Sequence, residues 1–303
     1  MDYDIVVIGG GTAGMTAAIY AKRAGKSVIL LEQEGIGGQI VTSPNVENYP
    51  GIKQISGIEF AEALYTQAAD LGAEITFEKA ESVTKTGATF EIKTDMRTIT
   101  AKSVIIATGA KSRPLGLEKE AELTGRCVSY CSVCDGAFFK GKDVAVIGGG
   151  STALQDAQFL SAYCSKVYLV HRRDEFRGEE KTVAILREKE NVEFVLSHTV
   201  EEIKGETAVT GIAVKSVKTG EISEISLSGI FVAVGQIPRN DEFKDLVELD
   251  SYGYVKAGED CVTSTPGVFT AGDCRTKEVR QLTTAAADGA VAALAACQYA
   301  ETV

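Results

Sequence analysis

The chain has 303 residues, 45% hydrophobic and 24% charged, which fits a folded α/β protein of two domains and excludes extended disorder. Its net charge of −11 argues against nucleic acid and against an anionic membrane surface as partners. No apolar run reaches the length of about 18 residues that marks a membrane-spanning helix.

The first patterned segment is DIVVIGGGTAGMTAAIYAKRAGKSVILLE, from Asp4 to Glu32. It reads as an apolar strand, a glycine turn, a helix and a second apolar strand. Gly9 permits the tight turn, Gly11 lets backbone approach a pyrophosphate, and Gly14 allows helix and strand to pack closely. The helix N-terminus would face the phosphates. Glu32 ends the second strand, where a carboxylate can accept hydrogen bonds from ribose hydroxyls. The competing reading is a glycine turn with no ligand. With this strand beginning by Asp4, no signal peptide is expected.

A Gly/Pro/Asn-rich loop follows from Gly35 to Gly51. Residues 57–72 are predicted to form an amphipathic helix with Ile58, Ala61, Leu64, Tyr65, Ala68 and Leu71 on one face. Alternating segments from Glu74 to Thr100 predict a small antiparallel sheet, and Ser103–Ala107 a buried strand ending at Thr108-Gly109. After Lys111 the stretch SRPLGLEKEAELTG reads as a domain crossover.

Cys131-Ser132-Val133-Cys134 comes next, with Asp135 directly after it. A helix starting here would hold the thiols near its N-terminus, which lowers thiol pKa. The spacing can close and reopen a small ring, and Asp135 lies where a departing thiolate needs an acid. Structural zinc competes, but it needs four ligands, and the two histidines, His171 and His198, lack ligand spacing. Inert packing thiols are the other alternative. Cys127, Cys164, Cys261, Cys274 and Cys297 read as small buried residues, Cys127 lying near the pair in sequence. Seven cysteines at irregular spacing are not a secreted disulfide framework, so the cytoplasm is the expected compartment.

The segment from Asp143 to His171, DVAVIGGGSTALQDAQFLSAYCSKVYLVH, repeats the first signature without a gap. Gly148 and Gly150 match the first two glycines, and Ala153 is an accepted variant at the third. Where the first copy has Glu32, this one has His171-Arg172-Arg173, with Arg177 four residues on. Guanidiniums bind a 2′-phosphate through two-pronged hydrogen bonds that a carboxylate would repel. The second site is therefore predicted to select NADPH over NADH. The bland reading is a solvated basic surface, with His171 only packing beside the adenine.

Glu179–Glu190 reads as a charged surface helix and residues 192–228 as alternating strands. Gly229–Val234 is a strand, and residues 235–253 look like a return crossover. Val268–Ala271 is a strand ending at Gly272-Asp273, and Gln281–Tyr299 an Ala-rich helix. Asp273 suits a ribityl chain, which favours FAD over NAD at the first turn, against the reading of an ordinary Gly-Asp turn. Two dinucleotide sites in one chain usually pass electrons from one to the other.

Together these segments closely resemble the low-molecular-weight bacterial thioredoxin reductases, nearly end to end. The carriers are GGGTAG (9–14), GGQ (37–39), VENYPG (46–51), ATG (107–109), YCSVCDG (130–136), GGGSTA (148–153), HRRDEFR (171–177), FTAGDCR (269–275) and RQ (280–281). The resemblance implies an α/β fold of two Rossmann-like three-layer dinucleotide-binding domains. An NADPH domain, residues 113–244, would be inserted into a discontinuous FAD domain, residues 1–112 and 245–303. It implies FAD at Gly9, Gly11, Thr12, Ala13, Gly14, Glu32, Gln33, Gly38, Gln39, Asn48, Thr108, Gly109, Gly272, Asp273, Arg280 and Gln281. It implies NADPH at Gly148, Gly150, Ser151, Thr152, Ala153, His171, Arg172, Arg173 and Arg177. Cys131 and Cys134 would form the redox disulfide with Asp135 as acid and base, and no metal is expected.

The implied electron path runs from NADPH through FAD to the cysteine pair, and then to thioredoxin or a similar small dithiol protein. The family is homodimeric, and its two domains rotate during turnover. Ser132-Val133 stands where Ala-Thr is commoner, and Ser151 where Asn or Asp is. Rival readings are the same dithiol chemistry with a ferredoxin donor, and a non-catalytic nucleotide-binding redox sensor. An alkyl hydroperoxide reductase flavoprotein would need a further N-terminal dithiol domain. A ferredoxin–NADP-type reductase would not need the cysteine pair.

Overall fold

The computed structural model describes residues 1–43 and 45–303. The chain is α/β and divides into two compact units, residues 1–111 with 237–303, and residues 112–236. The return crossing thus comes at 236/237 rather than at 244/245. Residues 237–244 belong with the first unit because Phe243 is buried in its core and the Asn240 amide donates to Gly253 O and Cys274 O.

In the first unit the chain forms β1 (Tyr3–Ile8), α1 (Thr12–Arg23), β2 (Val28–Leu31), α2 (Gly57–Asp70), β3 (Glu74–Thr76), β4 (Ala80–Thr86), β5 (Thr89–Thr94) and β6 (Thr98–Ile106). The sheet order is β3-β2-β1-β6-β5-β4. β1 is flanked by parallel strands on both sides, so Ile5, Val6 and Val7 are all fully buried, and an unbroken apolar run results. Each such side chain contributes about 1.5–3 kcal/mol of burial. The antiparallel part is β4-β5-β6 only; β3 pairs parallel with β2 at the other edge.

α2 opens on a capping box in which Ser56 and Glu59 each bond the other's backbone N–H. Its buried residues are Gly57, Phe60, Ala61 and Ala68, with Leu64 and Tyr65 packed against the core. Ile58 lies about a quarter turn off that stripe and is exposed, and Leu71 falls beyond the helix end.

In the second unit, after β7 (Ala110–Ser112), come α3 (Glu120–Leu123), β8 (Val128–Ser129), α4 (Ser132–Asp135), β9 (Asp143–Ile147), α5 (Ser151–Leu160), β10 (Lys166–His171), α6 (Glu180–Arg187), β11 (Val192–Leu196), β12 (His198–Lys204), β13 (Gly211–Ser216), β14 (Ile222–Ser226) and β15 (Gly229–Val232). Its parallel sheet has the order β11-β10-β9-β15-β8, and β12-β13-β14 form a separate antiparallel sheet.

The chain returns through β16 (Gln236–Pro238) to β17 (Val268–Thr270) and α7 (Leu282–Ala300). β17 pairs with Val104–Ile106 of β6, extending the first parallel sheet. α7 packs on α1 through small side chains: Ala17, Ala18 and Ala21 on one helix, Ala292, Ala293 and Ala296 on the other, all fully buried. A β-carbon on Gly289 would lie 2.3 Å from Ala13 O, so the two helices meet nearly backbone to backbone. Among the described residues no helix is long and apolar enough to cross a membrane.

Candidate functional site

The two glycine turns repeat in structure as they do in sequence. Gly9 has φ +114°, and a β-carbon there would lie 2.3 Å from Ala107 O; Gly148 has φ +155°, and its β-carbon would lie 2.3 Å from Ala233 O. In both places the turn presses against the carbonyl that follows the next parallel strand, and only glycine fits. A β-carbon on Gly14 would lie 1.9 Å from Gly9 O, whereas Ala153 is accommodated against Gly148. Gly11 and Gly150 are different. A β-carbon on Gly11 would meet only Gly37 O, at 3.9 Å, and one on Gly150 would meet nothing within 4 Å. These are open positions at the N-termini of α1 and α5, and neither helix has a side-chain cap. Unsatisfied amides facing open space are an anion site. Thr12 and Ala13 are buried under that turn; Ser151 and Thr152 are exposed beside theirs.

Glu32 and His171 occupy equivalent places, each against the middle glycine of its turn. Glu32 Oε2 accepts the Gly10 N–H at 2.7 Å, and Oε1 accepts the Glu34 N–H at 2.7 Å. The carboxylate therefore locks the turn and keeps lone pairs for a further donor. Gln33 beside it is exposed. A β-carbon on Gly149 would fall 2.1 Å from the His171 ring. That ring is buried and stacked on Phe176 at 5.3 Å. Burial, and after it the charges of Arg172, Arg173 and Arg177, hold His171 below its ordinary pKa, against a hydrogen bond to Glu175 O. The three arginines are exposed, and among the described residues none is in an ion pair. Arg177 N donates to Gly149 O at 2.8 Å, which docks this basic segment on the turn.

The remaining positions of the first unit form a polar fringe. Gln39 Nε2 donates to Ala110 O, and Gly38 beside it is exposed. Asn48 Nδ2 donates to Gln281 Oε1 at 3.2 Å, bringing together two residues far apart in sequence. Thr108 Oγ1, next to Gly109, donates to Asn240 Oδ1 at 2.9 Å. Gly272 N donates to Asp288 Oδ2 at 2.9 Å. Asp273 Oδ1 is buried with no hydrogen-bond partner among the described residues. Burial raises its carboxyl pKa, against Lys277 and Arg280. Arg280 braces the loop: it reaches Asp273 O and Arg275 O and lies over the Tyr254 ring at 4.4 Å. An orphaned buried carboxylate oxygen, an open glycine and an uncapped helix end fit a polyhydroxylated, phosphate-bearing cofactor.

Cys131 and Cys134 are joined in a disulfide, with Cα atoms 5.3 Å apart. Cys131 is the N-cap of α4, and its Sγ accepts the Cys134 N–H at 3.2 Å. Ser129 Oγ donates to Asp135 Oδ2 at 2.6 Å and receives the Cys131 N–H at 3.0 Å. Burial raises the Asp135 pKa, and the Ser129 bond offsets this only in part. A carboxyl whose pKa is raised next to a breaking S–S bond is a better proton donor to sulfur than an ordinary aspartate. Tyr130, one residue before the pair, donates to the buried Glu120, which also accepts the N–H groups of Leu115, Gly116 and Leu117. Cys164, Cys261, Cys274 and Cys297 are buried, and Cys127 is partly so.

Sequence reasoning missed three groups. Asn240 bolts the Thr108 loop to the Cys274 loop. Asp288, in the Ala-rich helix, holds Arg275 and Lys277. Asp156, in α5, receives a hydrogen bond from Ser132. A lone acid inside an apolar helical stripe was the available signal for the last two.

Residues 3–289 match the family model described as pyridine nucleotide-disulphide oxidoreductase. The thioredoxin reductase of Treponema pallidum (strain Nichols) is 40% identical, over 100% of this chain and 98% of that protein. That of Bacillus subtilis (strain 168) is 39% identical, over 99% of this chain and 95% of that protein. The crystal structure of thioredoxin reductase from Streptococcus pyogenes MGAS5005 superposes with a TM-score of 0.94 at 40% identity, covering 99% of each chain. The chain therefore belongs to the pyridine nucleotide-disulphide oxidoreductase family, an oxidoreductase grouping with its thioredoxin reductases.

Proposed function

We propose that the chain is an NADPH-dependent flavoprotein that reduces thioredoxin or a similar small dithiol protein. The observation that carries this reading is the Cys131–Cys134 disulfide at the start of α4 with the half-buried Asp135, its carboxyl pKa raised by burial, directly after it in the chain. FAD would be held by the Gly9–Gly14 turn, Glu32 and Asp273, and NADPH by the Gly148–Ala153 turn and Arg172, Arg173 and Arg177. When bound, the two cofactors supply the two-electron chemistry that ends at the disulfide.

The protein's own part is proton handling and thiol exchange. Breaking the S–S bond with two electrons leaves two sulfurs that need two protons, and Asp135 is placed to give one. One sulfur then attacks the partner's disulfide, forming a mixed disulfide and releasing one partner thiolate. The other sulfur attacks that mixed disulfide, closes Cys131–Cys134 again and releases the reduced partner. A homodimer in the cytoplasm is part of the same reading; sedimentation of the holoprotein tests the first half.

The direct test is anaerobic stopped-flow absorbance at the flavin band, followed by turnover with thioredoxin. Bleaching by NADPH and not by NADH is expected, with Cys134→Ser still bleaching but reducing no disulfide. A yellow protein that neither nucleotide bleaches would move the donor to ferredoxin. Full thioredoxin turnover by Cys134→Ser would end the proposal.

A further inference from the structure

Ser132 lies inside the redox loop, between the two cysteines, and is only 1% exposed. Its Oγ donates to Asp156 Oδ1, a carboxylate on the neighbouring α5. Nothing in the disulfide chemistry requires this pair. Yet Ser132 is the first residue of α4, the turn on which both sulfurs ride. We propose that Asp156 is a positioning residue of the redox centre: through Ser132 it clamps the cysteine-bearing turn in its oxidised geometry and makes the disulfide harder to reduce.

The surroundings give this clamp a pH dependence. Burial raises the Asp156 pKa to about 6, with the Ser132 bond the sole opposing effect resolved. Among the described residues no cation faces it. The titratable group that feels its charge is Tyr163, whose own pKa rises to about 12 through burial and the charges of Cys164 and Asp156. A hydroxyl held by an ionised carboxylate is held more strongly than one held by a neutral acid. The clamp is therefore strongest when Asp156 is ionised and slackens as pH falls through its pKa.

The inference rests on the proposed disulfide chemistry, but its test needs neither NADPH nor thioredoxin. The full-length holoprotein is equilibrated with mixtures of reduced and oxidised dithiothreitol, and the dithiol fraction of Cys131–Cys134 is read by thiol labelling and mass spectrometry. At about pH 7.5, Ser132→Ala is expected to shift the dithiol:disulfide ratio toward dithiol by about three- to tenfold, the range for a hydrogen bond to a charged group that is worth less in the reduced form. Asp156→Asn keeps the shape and removes the charge, and is expected to give a smaller shift in the same direction. The double variant is expected to equal Ser132→Ala alone. Lowering the pH to about 5 should close the gap between the unaltered chain and Asp156→Asn and narrow the gap to Ser132→Ala, because the unaltered clamp is then neutral as well. A ratio unchanged in both variants, a gap constant across that pH range, or additive effects in the double variant would each overturn the proposal. Failure of NADPH to bleach the flavin would instead strike the functional reading and leave this equilibrium untouched.

Discussion

Ser129 Oγ donates to Asp135 Oδ2 at 2.6 Å, while Asp135 Oδ1 is buried and meets no hydrogen-bond partner among the described residues. Ser129 thus fixes one oxygen and leaves the other for a transferable proton. Asp135→Asn should keep the disulfide and the fold, since the amide is isosteric. It should lower thioredoxin turnover by about 10²–10⁴-fold, the range for losing a positioned general acid. The pH profile checks the assignment. Because burial raises the Asp135 pKa, the unaltered chain should lose activity on the alkaline side as this carboxyl deprotonates, and the variant should lose that limb. A variant profile of unchanged shape would show that Asp135 is not the acid.

The two glycine turns predict opposite outcomes for one-carbon changes. Gly14→Ala would drive a β-carbon to 1.9 Å from Gly9 O and push α1 off β1, so the purified protein should retain little or no flavin. Ala153→Gly removes a methyl group that the second turn already tolerates. It should cost about 0.5–1 kcal/mol of stability through helix propensity and leave nucleotide affinity nearly unchanged. Flavin absorbance and NADPH titration of the two variants measure both effects.

These turns also show how far the sequence could be read. Gly9, Gly14, Gly148 and the cysteine pair were legible because backbone geometry and sulfur chemistry admit few residue types at fixed spacing. Asn48 and Gln281 were named from the motif, but their mutual hydrogen bond was not visible, since it joins segments far apart in the chain. Apolar periodicity puts Leu71 on the buried face of α2 because it cannot see that the helix stops at Asp70. Asp156 and Asp288 are silent in the sequence because a single acid carries no periodic signal, and their roles depend on partners from other elements.

The basic segment after β10 predicts nucleotide choice. Arg172, Arg173 and Arg177 are exposed and, among the described residues, carry no carboxylate partner, so their charges are available to a 2′-phosphate. Each Arg→Gln change should raise KM for NADPH on the order of tenfold at low salt and hardly alter whatever activity NADH supports. The NADPH effect should shrink as ionic strength rises. Equal losses with both nucleotides would mean that these arginines support the fold rather than the phosphate.

Asp288 governs acid stability. It accepts from Arg275 Nε and Nη2, each at 2.8 Å, from Lys277 Nζ at 2.8 Å, and from Gly272 N at 2.9 Å. Arg275 is 1% exposed, so the network is buried as a unit. Burial alone would raise the Asp288 pKa, but the hydrogen bonds from Arg275, Lys277 and Gly272 outweigh it and hold the group below its ordinary value. A carboxylate depressed on folding stabilises the protein above its unfolded pKa of 3.8, and that contribution is lost as pH falls through the lower folded value. Asp288→Asn leaves buried Lys277 without its carboxylate partner and Arg275 with only the exposed Glu259, and should cost about 3–5 kcal/mol near neutral pH. It should also loosen the Gly272-Asp273 loop, so flavin retention should fall with stability. Denaturant titrations should show the gap between the variant and the unaltered chain beginning to narrow below about pH 4, where the unfolded carboxylate is protonated, and closing only below the lower folded value, where it is neutralised in both states. A gap that stays constant into that acid range would mean that Asp288 acts through shape and not through charge.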